Sequence, residues 1–455
     1  MTVLQRRVSA LVGTVMLSAM ALPHDVWSQR VQRAVPAPAR AAQRATITIS
    51  SEPLPRTPVG VGAHAVVGTG VRSVRVVRAG EVIRARPDVN SPRRGTAALD
   101  AYLPALEAAV GPGCSTRWIR VAPSAWICQA VVETSAHAPT GAVHPVLREG
   151  AWLPYDYSFA AHSGVHTFRS QQDALNDDWT EELERSMGVA VTSVQRFGGQ
   201  RWVQTASARW IAQRDLISAR PSEWQGALID ASIPSADRVG FAKRRAFLWP
   251  TAQQAVRGGR GASSESVQAR ELLVAVDVVT LHGQTLWQTP RGWINRTHVH
   301  VANGARIPRD LRVGERWVDV DVASQTMVAY EGERPVYVTL TSTGRRGFDT
   351  ARGEFRAWVK LATTDMSNAD DPTLDTATRL YSVERVPWVI FFHNDQALHG
   401  VYWHDRFGVQ RSHGCINLAP RDARWLFEWA PPELPAGWTA VFPTEEQPGL
   451  RVRVR

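Results

Sequence analysis

Cys415 lies in a short stretch that is unusually rich in side chains able to do chemistry. The stretch, LHGVYWHDRFGVQRSHGCINL at residues 398–418, holds three histidines and three glycines, and the whole chain of 455 residues has only 3 cysteines. A thiol is a weak nucleophile until a base removes its proton, and a histidine within hydrogen-bond reach is the common base. A cysteine among histidines therefore indicates nucleophilic catalysis.

Two histidines are candidates for that base. His413 is two residues from Cys415, and in an extended segment its side chain points to the same face. His399 lies on a predicted adjacent strand, QALHGVYW, and can approach from across the sheet. His393 and His404 are also near in sequence, so spacing alone leaves the choice open.

Gly414 supplies the backbone freedom that an acyl-transfer site needs. A glycine lets the chain bend so that successive N–H groups point at one spot, where they stabilise the oxyanion of a tetrahedral intermediate. Fortuitous clustering or a vestigial site is the alternative. A zinc site is a second alternative for this cluster of His and Cys. Zinc sites usually draw on more than one cysteine or on CxxC pairs, and this chain has no CxxC pair. We expect no metal.

The motif resembles a known family signature. His399 is followed, after twelve intervening residues, by Ser412-His413-Gly414-Cys415-Ile416-Asn417, and this pattern is similar to that of the YkuD-type L,D-transpeptidases. The resemblance extends back through STGRRGFDTARGEFRAW to about Trp317. It implies a β-rich catalytic domain with a cysteine acyl-enzyme.

The resemblance also implies roles for the catalytic residues. Cys415 is the nucleophile and His399 the general base, with the backbone carbonyl of Gly400 holding the imidazole tautomer. His413 and Gly414, together with the Cys415 amide, form the oxyanion site.

Further residues are expected to support this site. Ser412 would brace the loop, and Asn417 would bind substrate or support the loop. Tyr402 and Trp403, with Phe407, would wall the substrate groove, although ordinary packing explains them equally well. One departure is Thr350-Ala351-Arg352-Gly353, where the family often has Thr-Pro-x-Gly; losing that proline should loosen a turn.

The implied reaction acts on peptidoglycan. The thiolate attacks the carbonyl of the third residue of a tetrapeptide stem, D-alanine leaves, and an amine of a neighbouring stem resolves the acyl-enzyme to a cross-link. No cofactor is required. Water as acceptor would make a carboxypeptidase, and an amine on an envelope protein would make an attachment enzyme. A wall-binding module with an inactive enzyme domain is the third alternative.

Composition limits the remaining possibilities. The length predicts about three or four domains. Hydrophobic content of 44% and charged content of 21% are ordinary for a folded soluble protein. The net charge of +10 favours anionic surroundings, such as an acidic wall polymer. No arginine run is interleaved with aromatic residues, so a nucleic-acid partner is not expected.

The N-terminus predicts export. Arg6 and Arg7 precede an apolar run, Val8 to Leu22, with the length of a signal-peptide core, and Val26-Trp27-Ser28 is suited to cleavage. An uncleaved anchor is the alternative. We expect a protein exported to the periplasm or cell envelope, soluble there or loosely associated with the envelope.

Export changes the expected state of the cysteines, because an oxidising compartment lets thiols pair. Cys114 and Cys128 flank STRWIRVAPSAWI, which predicts two short strands. A disulfide between them would close a small loop and contribute about 3 kcal/mol in the chain-entropy model. Two buried free thiols are the alternative. Cys415 then remains as an unpaired thiol that needs a chemical reason.

A tryptophan-containing phrase occurs three times along the chain. The copies are RWIRVAPSAWI at 117–127, RWVQTASARWI at 201–211 and LWQTPRGWI at 286–294. The equal spacing indicates a repeat. Short alternating strands that end in a paired-tryptophan hairpin resemble bacterial SH3-like barrels, and the tryptophans are more often core than ligand platform in a small barrel.

These patterns predict a mainly β protein, in which small SH3-like barrels precede a YkuD-like domain with a short helix. Residues 316–445 alternate as a β-meander, with a helix at 419–430 whose first turn contains Pro420. The acidic segment 363–379 is expected to be a surface loop rather than a calcium site. The predicted ranges are 1–28 (signal peptide), 29–60 (Pro/Ala/Arg-rich linker), 61–150, 151–220 and 238–303 (SH3-like domains) and 316–445 (catalytic domain).

Overall fold

The computed structural model describes residues 67–230, 233, 235–258, 265–368 and 381–455. The predicted signal peptide and linker lie outside the described residues, as do the start of the first predicted barrel and most of the acidic segment. Within the described part of the chain, no helix is long and apolar enough to cross a bilayer.

The first segment of the chain is built from eight short strands. Its buried residues are mainly small or β-branched, which suits a compact β-structure. The strands are β1 (Ser73–Val76), β2 (Glu81–Arg84), β3 (Arg93–Ala97), β4 (Tyr102–Pro104), β5 (Glu107–Ala109), β6 (Trp118–Ala122), β7 (Ala125–Cys128) and β8 (Val132–Ser135).

The second segment contains one short helix, α1 (Gln171–Asn176). The side chain of Ser170 caps this helix by accepting a hydrogen bond from the Asp173 amide. The strands are β9 (Asp156–Ala160), β10 (Val165–Thr167), β11 (Glu181–Leu183), β12 (Gly188–Phe197), β13 (Gln200–Thr205), β14 (Trp210–Ala212), β15 (Leu216–Ser218) and β16 (Ala227–Leu228).

The third segment contains the helix α2 (Ala252–Arg257). A reciprocal capping box between Thr251 and Gln254 starts this helix. The strands are β17 (Val239–Ala242), β18 (Ala246–Leu248), β19 (Glu265–Val267), β20 (Leu272–Val274), β21 (Asp277–Leu281), β22 (Gln284–Thr289), β23 (Gly292–Asn295) and β24 (Val299–Val301).

The tryptophan phrase has the same local structure in each segment. Each copy is a two-stranded hairpin, followed by a single 3-10 turn and a short strand: β6–β7 with β8, β13–β14 with β15, and β22–β23 with β24. The first tryptophans, Trp118, Trp202 and Trp287, are at most 3% exposed. They are core residues in this structure. The assignment of these segments to SH3-like barrels stays a prediction.

The C-terminal segment contains ten strands and the helix α3 (Pro420–Trp429). The fixed φ of Pro420 suits the first helical turn, and the helix buries Ala423, Leu426 and Phe427. The strands are β25 (Arg316–Asp321), β26 (Thr326–Glu331), β27 (Arg334–Leu340), β28 (Gly353–Arg356), β29 (Val359–Ser367), β30 (Ser382–His393), β31 (Gln396–Gly400), β32 (Ile416–Leu418), β33 (Trp438–Val441) and β34 (Arg451–Val454).

One sheet runs through three of the four segments. Its main path among the described strands is β14-β13-β12-β30-β29-β33-β3-β2-β7-β6-β5. The first segment joins through the antiparallel pair β3–β33, and the second through the parallel contact between Gly188 and Val383. These three segments are therefore joined by one hydrogen-bonded sheet.

The hydrophobic cores also cross the segment boundaries. Trp438 and Val441 belong to the core of the first segment. Phe241 of the third segment packs in one cluster with Trp317 and Phe407 of the C-terminal segment. Burial of such large side chains contributes roughly 1.5–3 kcal/mol each, so these shared cores join the segments firmly.

The expectation of a mainly β protein is confirmed. Three details differ from the sequence-based prediction. Helices α1 and α2 were not expected, β34 lies beyond the predicted end of the catalytic domain at 445, and residues 363–367 continue β29 instead of forming a surface loop. Strand β34 lies between β25 and β28 in its sheet, and its parallel pairing with β25 is a contact that local alternation cannot indicate.

Candidate active site

The two halves of the motif meet on neighbouring strands. β31 and β32 pair in parallel, with Leu398 opposite Ile416 and His399 opposite Asn417. Cys415 immediately precedes β32. The pairing of these two strands thus brings together the two halves of the motif, which a long loop separates in the sequence.

The Cys415 thiol lies against the strand that carries His399. Its Sγ is 3.8 Å from the carbonyl oxygen of Asp395, and it also accepts from the Ala397 backbone. Ala397 and His399 share a face of the strand and are about 6.6 Å apart along it. Extending the β31–β32 register by one pair sets Cys415 opposite Ala397, so the Cys415 side chain is expected on the face that carries His399, two residues further along β31.

The His399 ring is fixed in one tautomer. It is 2% exposed, and its Nδ1 lies 3.1 Å from the carbonyl oxygen of Gly400. A carbonyl only accepts, so Nδ1 carries the proton and Nε2 is left as the basic nitrogen. Burial lowers the pKa of His399 to about 4, an effect that the Gly400 contact opposes. The ring is therefore neutral at pH 7.

Burial has the opposite effect on the thiol. It raises the pKa of Cys415 to about 12, and the Asp395 carboxylate raises it further, while the hydrogen bond from Ala397 opposes the shift. The side chain remains partly open to solvent. Both partners are neutral at rest, so nucleophilic attack requires proton transfer from Sγ to the imidazole.

The loop that carries Cys415 is braced from within by Ser412. The Ser412 hydroxyl donates to the Cys415 carbonyl oxygen at 2.5 Å and accepts from the Gly414 amide at 3.1 Å. Gly414 has φ +119°, which strains any residue with a Cβ. Ser412 thus has the bracing contacts expected of it, and Gly414 is required by the backbone.

This bracing changes the set of oxyanion donors. Because the Gly414 amide donates to Ser412, it is not directed at a substrate carbonyl. The backbone amides of His413 and Cys415 donate to no acceptor in the described part of the chain. The Cys415 amide is the free donor nearest the sulfur, and Gly414 contributes loop shape rather than a hydrogen bond.

A residue that sequence reasoning missed, Arg345, holds His413. Its Nη2 donates to His413 Nε2 at 2.8 Å, and its backbone amide donates to the Ser412 carbonyl. Arginine only donates, so His413 is neutral with its proton on Nδ1. Burial and Arg345 lower the pKa of His413 to about 4. This ring supports the loop and is not the base that serves Cys415.

Asn417 supports the loop rather than facing an open groove. It is 3% exposed, its side-chain amide donates to His404 Nε2 at 3.1 Å, and its backbone exchanges two hydrogen bonds with Ser342. The sequence indicated His404 only as one of the histidines near Cys415, with no role in holding Asn417. Burial lowers its pKa to about 4, so its Nε2 is a suitable acceptor.

The aromatic residues after His399 differ in their exposure. Tyr402 is fully buried, stacks on Tyr157 with ring centroids 3.8 Å apart, and donates to the Glu384 carbonyl. It holds the second segment against the site and does not line a groove. Phe407 is also buried, whereas Trp403 is partly exposed near the His399 ring, at 5.8 Å between centroids.

The turn at Thr350–Gly353 is held despite the missing proline. The Ala351 amide donates to Gln396 Oε1 at 2.9 Å, a bond that a proline cannot form. Thr350 accepts from the Gly344 amide and donates to the Gly414 carbonyl at 2.8 Å. The expected loosening is therefore offset by hydrogen bonds to residues beside the thiol.

Cys114 and Cys128 form a disulfide in this structure. It joins the end of β7 to the loop before β6, and the pair packs beside Trp118 and Trp126. Cys415 is the free cysteine. Among the described residues, no group of three or more His, Cys, Asp or Glu side chains is placed to hold a metal ion.

Comparison with family models assigns residues 315–452 to YkuD, the L,D-transpeptidase catalytic domain. The assigned span runs from the start of β25 into β34 and includes every residue of the candidate site. This part of the chain is therefore a YkuD-type catalytic domain. No curated protein matches the chain.

Solved structures similar to this chain include three L,D-transpeptidases. A cysteine-to-serine mutant of the protein from Enterococcus faecium is 19% identical, over 31% of this chain and 50% of that one, with a TM-score of 0.24. The protein from Stackebrandtia nassauensis is 23% identical over 34% and 62%, with a TM-score of 0.24. The protein from Mycobacterium smegmatis is 17% identical over 59% and 99%, with a TM-score of 0.26.

The matched region spans half of the E. faecium protein and 62% of the S. nassauensis protein.

Proposed function

We propose that this protein is an exported L,D-transpeptidase that forms peptidoglycan cross-links through an acyl-enzyme on Cys415. The YkuD domain at 315–452 supports the class of reaction. The observation that carries the residue assignment is the placement of the thiol against the strand of His399, whose free Nε2 is a base.

The geometry supports a four-step sequence. His399 Nε2 takes the proton from Sγ as the sulfur attacks the carbonyl carbon of the third stem residue, and the Cys415 amide stabilises the oxyanion. The protonated imidazole gives its proton to the amine of D-alanine as the C–N bond breaks, leaving a thioester. An acceptor amine then attacks the thioester while His399 takes its proton. Collapse restores the thiol and forms a new amide.

Product analysis tests the proposal. Purified protein is incubated with tetrapeptide stems, and the products are identified by mass spectrometry. A cross-linked dimer with released D-alanine is the expected result. Free tripeptide would instead indicate water as the acceptor, and unchanged substrate a wall-binding role. An amine on an envelope protein would be found as a stem–protein adduct.

The matched control is Cys415→Ala. We expect this variant to lose all turnover and to keep the thermal unfolding temperature of the parent, because the thiol makes only weak contacts. Turnover at the parental rate in Cys415→Ala would end the nucleophile assignment.

We further propose that the protein functions in the periplasm or cell envelope. The basic and apolar N-terminal run and the Cys114–Cys128 disulfide support export, because disulfides persist in oxidising compartments. The net charge of +10 would keep the protein near an anionic wall polymer. Cell fractionation with a C-terminal tag tests this, and recovery in the cytosol would contradict it.

A further inference from the structure

Gln396 lies between three segments that surround the thiol. It is the first residue of β31, next to Asp395, whose carbonyl contacts Sγ. Its side chain is partly exposed and crosses to the turn at 349–351. Gln396 was not singled out from the sequence, because its contacts join residues about 45 positions apart.

Both ends of the Gln396 amide are engaged. Oε1 accepts from the Ala351 backbone amide at 2.9 Å, and Nε2 donates to the Asp349 carbonyl at 3.2 Å. A backbone N–H only donates and a carbonyl only accepts, so the orientation of the amide is fixed. Gln396 therefore fastens the 349–351 turn to the start of the strand that bears His399.

The same amide also abuts the loop of the nucleophile. A Cβ added at Gly414 would lie 2.9 Å from Gln396 Nε2, so the amide fills the space that a side chain at 414 would take. Thr350, within the fastened turn, donates to the Gly414 carbonyl at 2.8 Å. The turn, the strand and the cysteine loop thus meet at the Gln396 side chain.

We propose that Gln396 is a positioning residue for acyl transfer, which holds the Cys415 loop against the His399 strand by fastening the 349–351 turn. The proposal rests on the proposed function of Cys415 and His399. Loss of the Gln396 amide frees the turn, and Thr350 then no longer fixes the Gly414 carbonyl. The sulfur becomes more solvated and less well aligned with the imidazole.

The test uses the full chain with Gln396→Met, which keeps side-chain length and removes both hydrogen bonds. We expect kcat for tetrapeptide transfer to fall about 10- to 100-fold with KM within about twofold, since small misalignments have effects of that size. The matched control is Gln195→Ala, which removes a glutamine hydrogen bond on the exposed face of the second segment. It should leave kcat unchanged.

Iodoacetamide alkylation of Cys415 supplies a readout that needs no substrate. A more solvated thiol has a lower pKa, so we expect Gln396→Met to be alkylated at least about threefold faster at pH 8 than the parent, while its transfer is slower. A simple loss of stability would not produce this opposite pair of effects. Unchanged alkylation and unchanged kcat would overturn the proposal.

A double-variant cycle tests the route through the turn. Ala351→Pro removes the N–H that Gln396 accepts and stiffens the turn, so Gln396→Met should reduce kcat less in that background, by under about threefold. Equal reductions in both backgrounds would overturn the proposal. An unfolding temperature of Gln396→Met below the assay temperature would also overturn the proposal, because the loss of activity would then come from unfolding alone.

The two proposals fail in distinguishable ways. If the parent does not transfer stems, but Gln396→Met still alters alkylation, the proposed reaction fails and the positioning role stands. Suppose instead that the parent transfers stems and Cys415→Ala does not. If Gln396→Met then has the parental kcat and alkylation rate, the proposed function stands and only the positioning role of Gln396 is refuted.

Discussion

The Cys415 thiol and the His399 imidazole rest in their neutral forms, because burial disfavours the charged form of each. A preformed thiolate–imidazolium pair is therefore absent from the resting site. The reactive sulfur would be generated only when a bound acyl group is ready for attack. A neutral thiol also reacts slowly with oxidants, which suits an oxidising compartment.

This resting state predicts the pH dependence of Cys415 alkylation. The pKa of the thiol is raised to about 12, so the thiolate fraction increases throughout the range from pH 7 to 10. We expect the iodoacetamide rate to rise about tenfold per pH unit over this range, without the plateau that a thiolate–imidazolium pair would give. Stopped-time labelling followed by mass spectrometry measures the rate.

Cys415→Ala is the control for that experiment, since Cys114 and Cys128 are paired and should take up no label. A rate that is flat between pH 6 and 8 would show that the thiolate is already formed at rest.

The sequence predicted those parts of the site whose contacts join residues close together along the chain. The bracing by Ser412 and the Gly400 contact of His399 join residues at most three positions apart. Arg345 contacts His413 across 68 positions and Gln396 contacts Ala351 across 45, and only the folded sheet brings these pairs together. Their residue types do not indicate a role in the site, because arginine and glutamine are common at protein surfaces.

At the scale of elements, helix α3 is anchored by a buried carboxylate. Asp422 is fully buried and accepts hydrogen bonds from the Tyr337 and Thr339 hydroxyls and from the Gly226 amide. These contacts join the helix to β27 and to the chain before β16. Burial raises the pKa of Asp422 to about 6, while the three donors oppose the shift.

The raised pKa predicts how stability depends on pH. Between about pH 4 and 6 the folded chain keeps a proton on Asp422 that the unfolded chain has lost, so this group's contribution to the free energy of unfolding falls as pH rises. The side chain of Asn in Asp422→Asn offers one acceptor oxygen to three donors, so we expect its free energy of unfolding to be about 1–3 kcal/mol below that of the parent at pH 5. This difference from the parent should become smaller toward pH 7. Urea unfolding at stepped pH measures both.

Asp156→Asn is the matched control, because that carboxylate is exposed and paired with Arg148 at the surface. It should change the stability by less than about 1 kcal/mol at every pH. A parent–Asp422→Asn difference that grows between pH 4 and 6 would contradict the assigned direction.

Elements were predicted best where their pattern is long. The strands of the meander β25–β27 have six or seven residues each and are buried almost throughout, and helix α3 buries residues at helical spacing, so their sequences indicate them. Helices α1 and α2 have six residues each, fewer than two turns, and their capping residues are their only local signal. The pairings of β3 with β33 and of β12 with β30 depend on tertiary docking, which periodicity cannot indicate.

At the scale of the whole molecule, the catalytic domain is held from three sides. The first segment extends its sheet at β33, and the second stacks Tyr157 on Tyr402. The third forms a two-bond ion pair between Arg270 and Asp405, within the loop that joins the two halves of the motif. Each contact holds part of the scaffold around the thiol.

The β3–β33 contact predicts a strong effect of a small substitution. A Cβ added at Gly95 would lie 2.3 Å from the Ala440 carbonyl oxygen and 2.4 Å from the Trp438 ring. We expect Gly95→Ala to lower the free energy of unfolding by roughly 1–3 kcal/mol, because the backbone must shift. We also expect calorimetry to separate the first segment's transition from the rest.

Gly68→Ala, in the same segment, is the control. Its Cβ would meet only a Val71 methyl group at 3.9 Å, so the unfolding temperature should stay within about 1 °C of the parent's. Equal behaviour of the two variants would show that the contact at β33 does not stabilise the fold.

The continuous sheet determines which truncated forms of the protein are suitable for expression. A polypeptide limited to residues 315–452 would leave β33 and β30 without the neighbours that β3 and β12 provide, and Tyr402 without its stacking partner. Bare strand edges recruit other chains, so such a fragment should accumulate as inclusion bodies. A version starting at residue 67 keeps those edges covered and is the sounder choice for crystallisation or inhibitor screening.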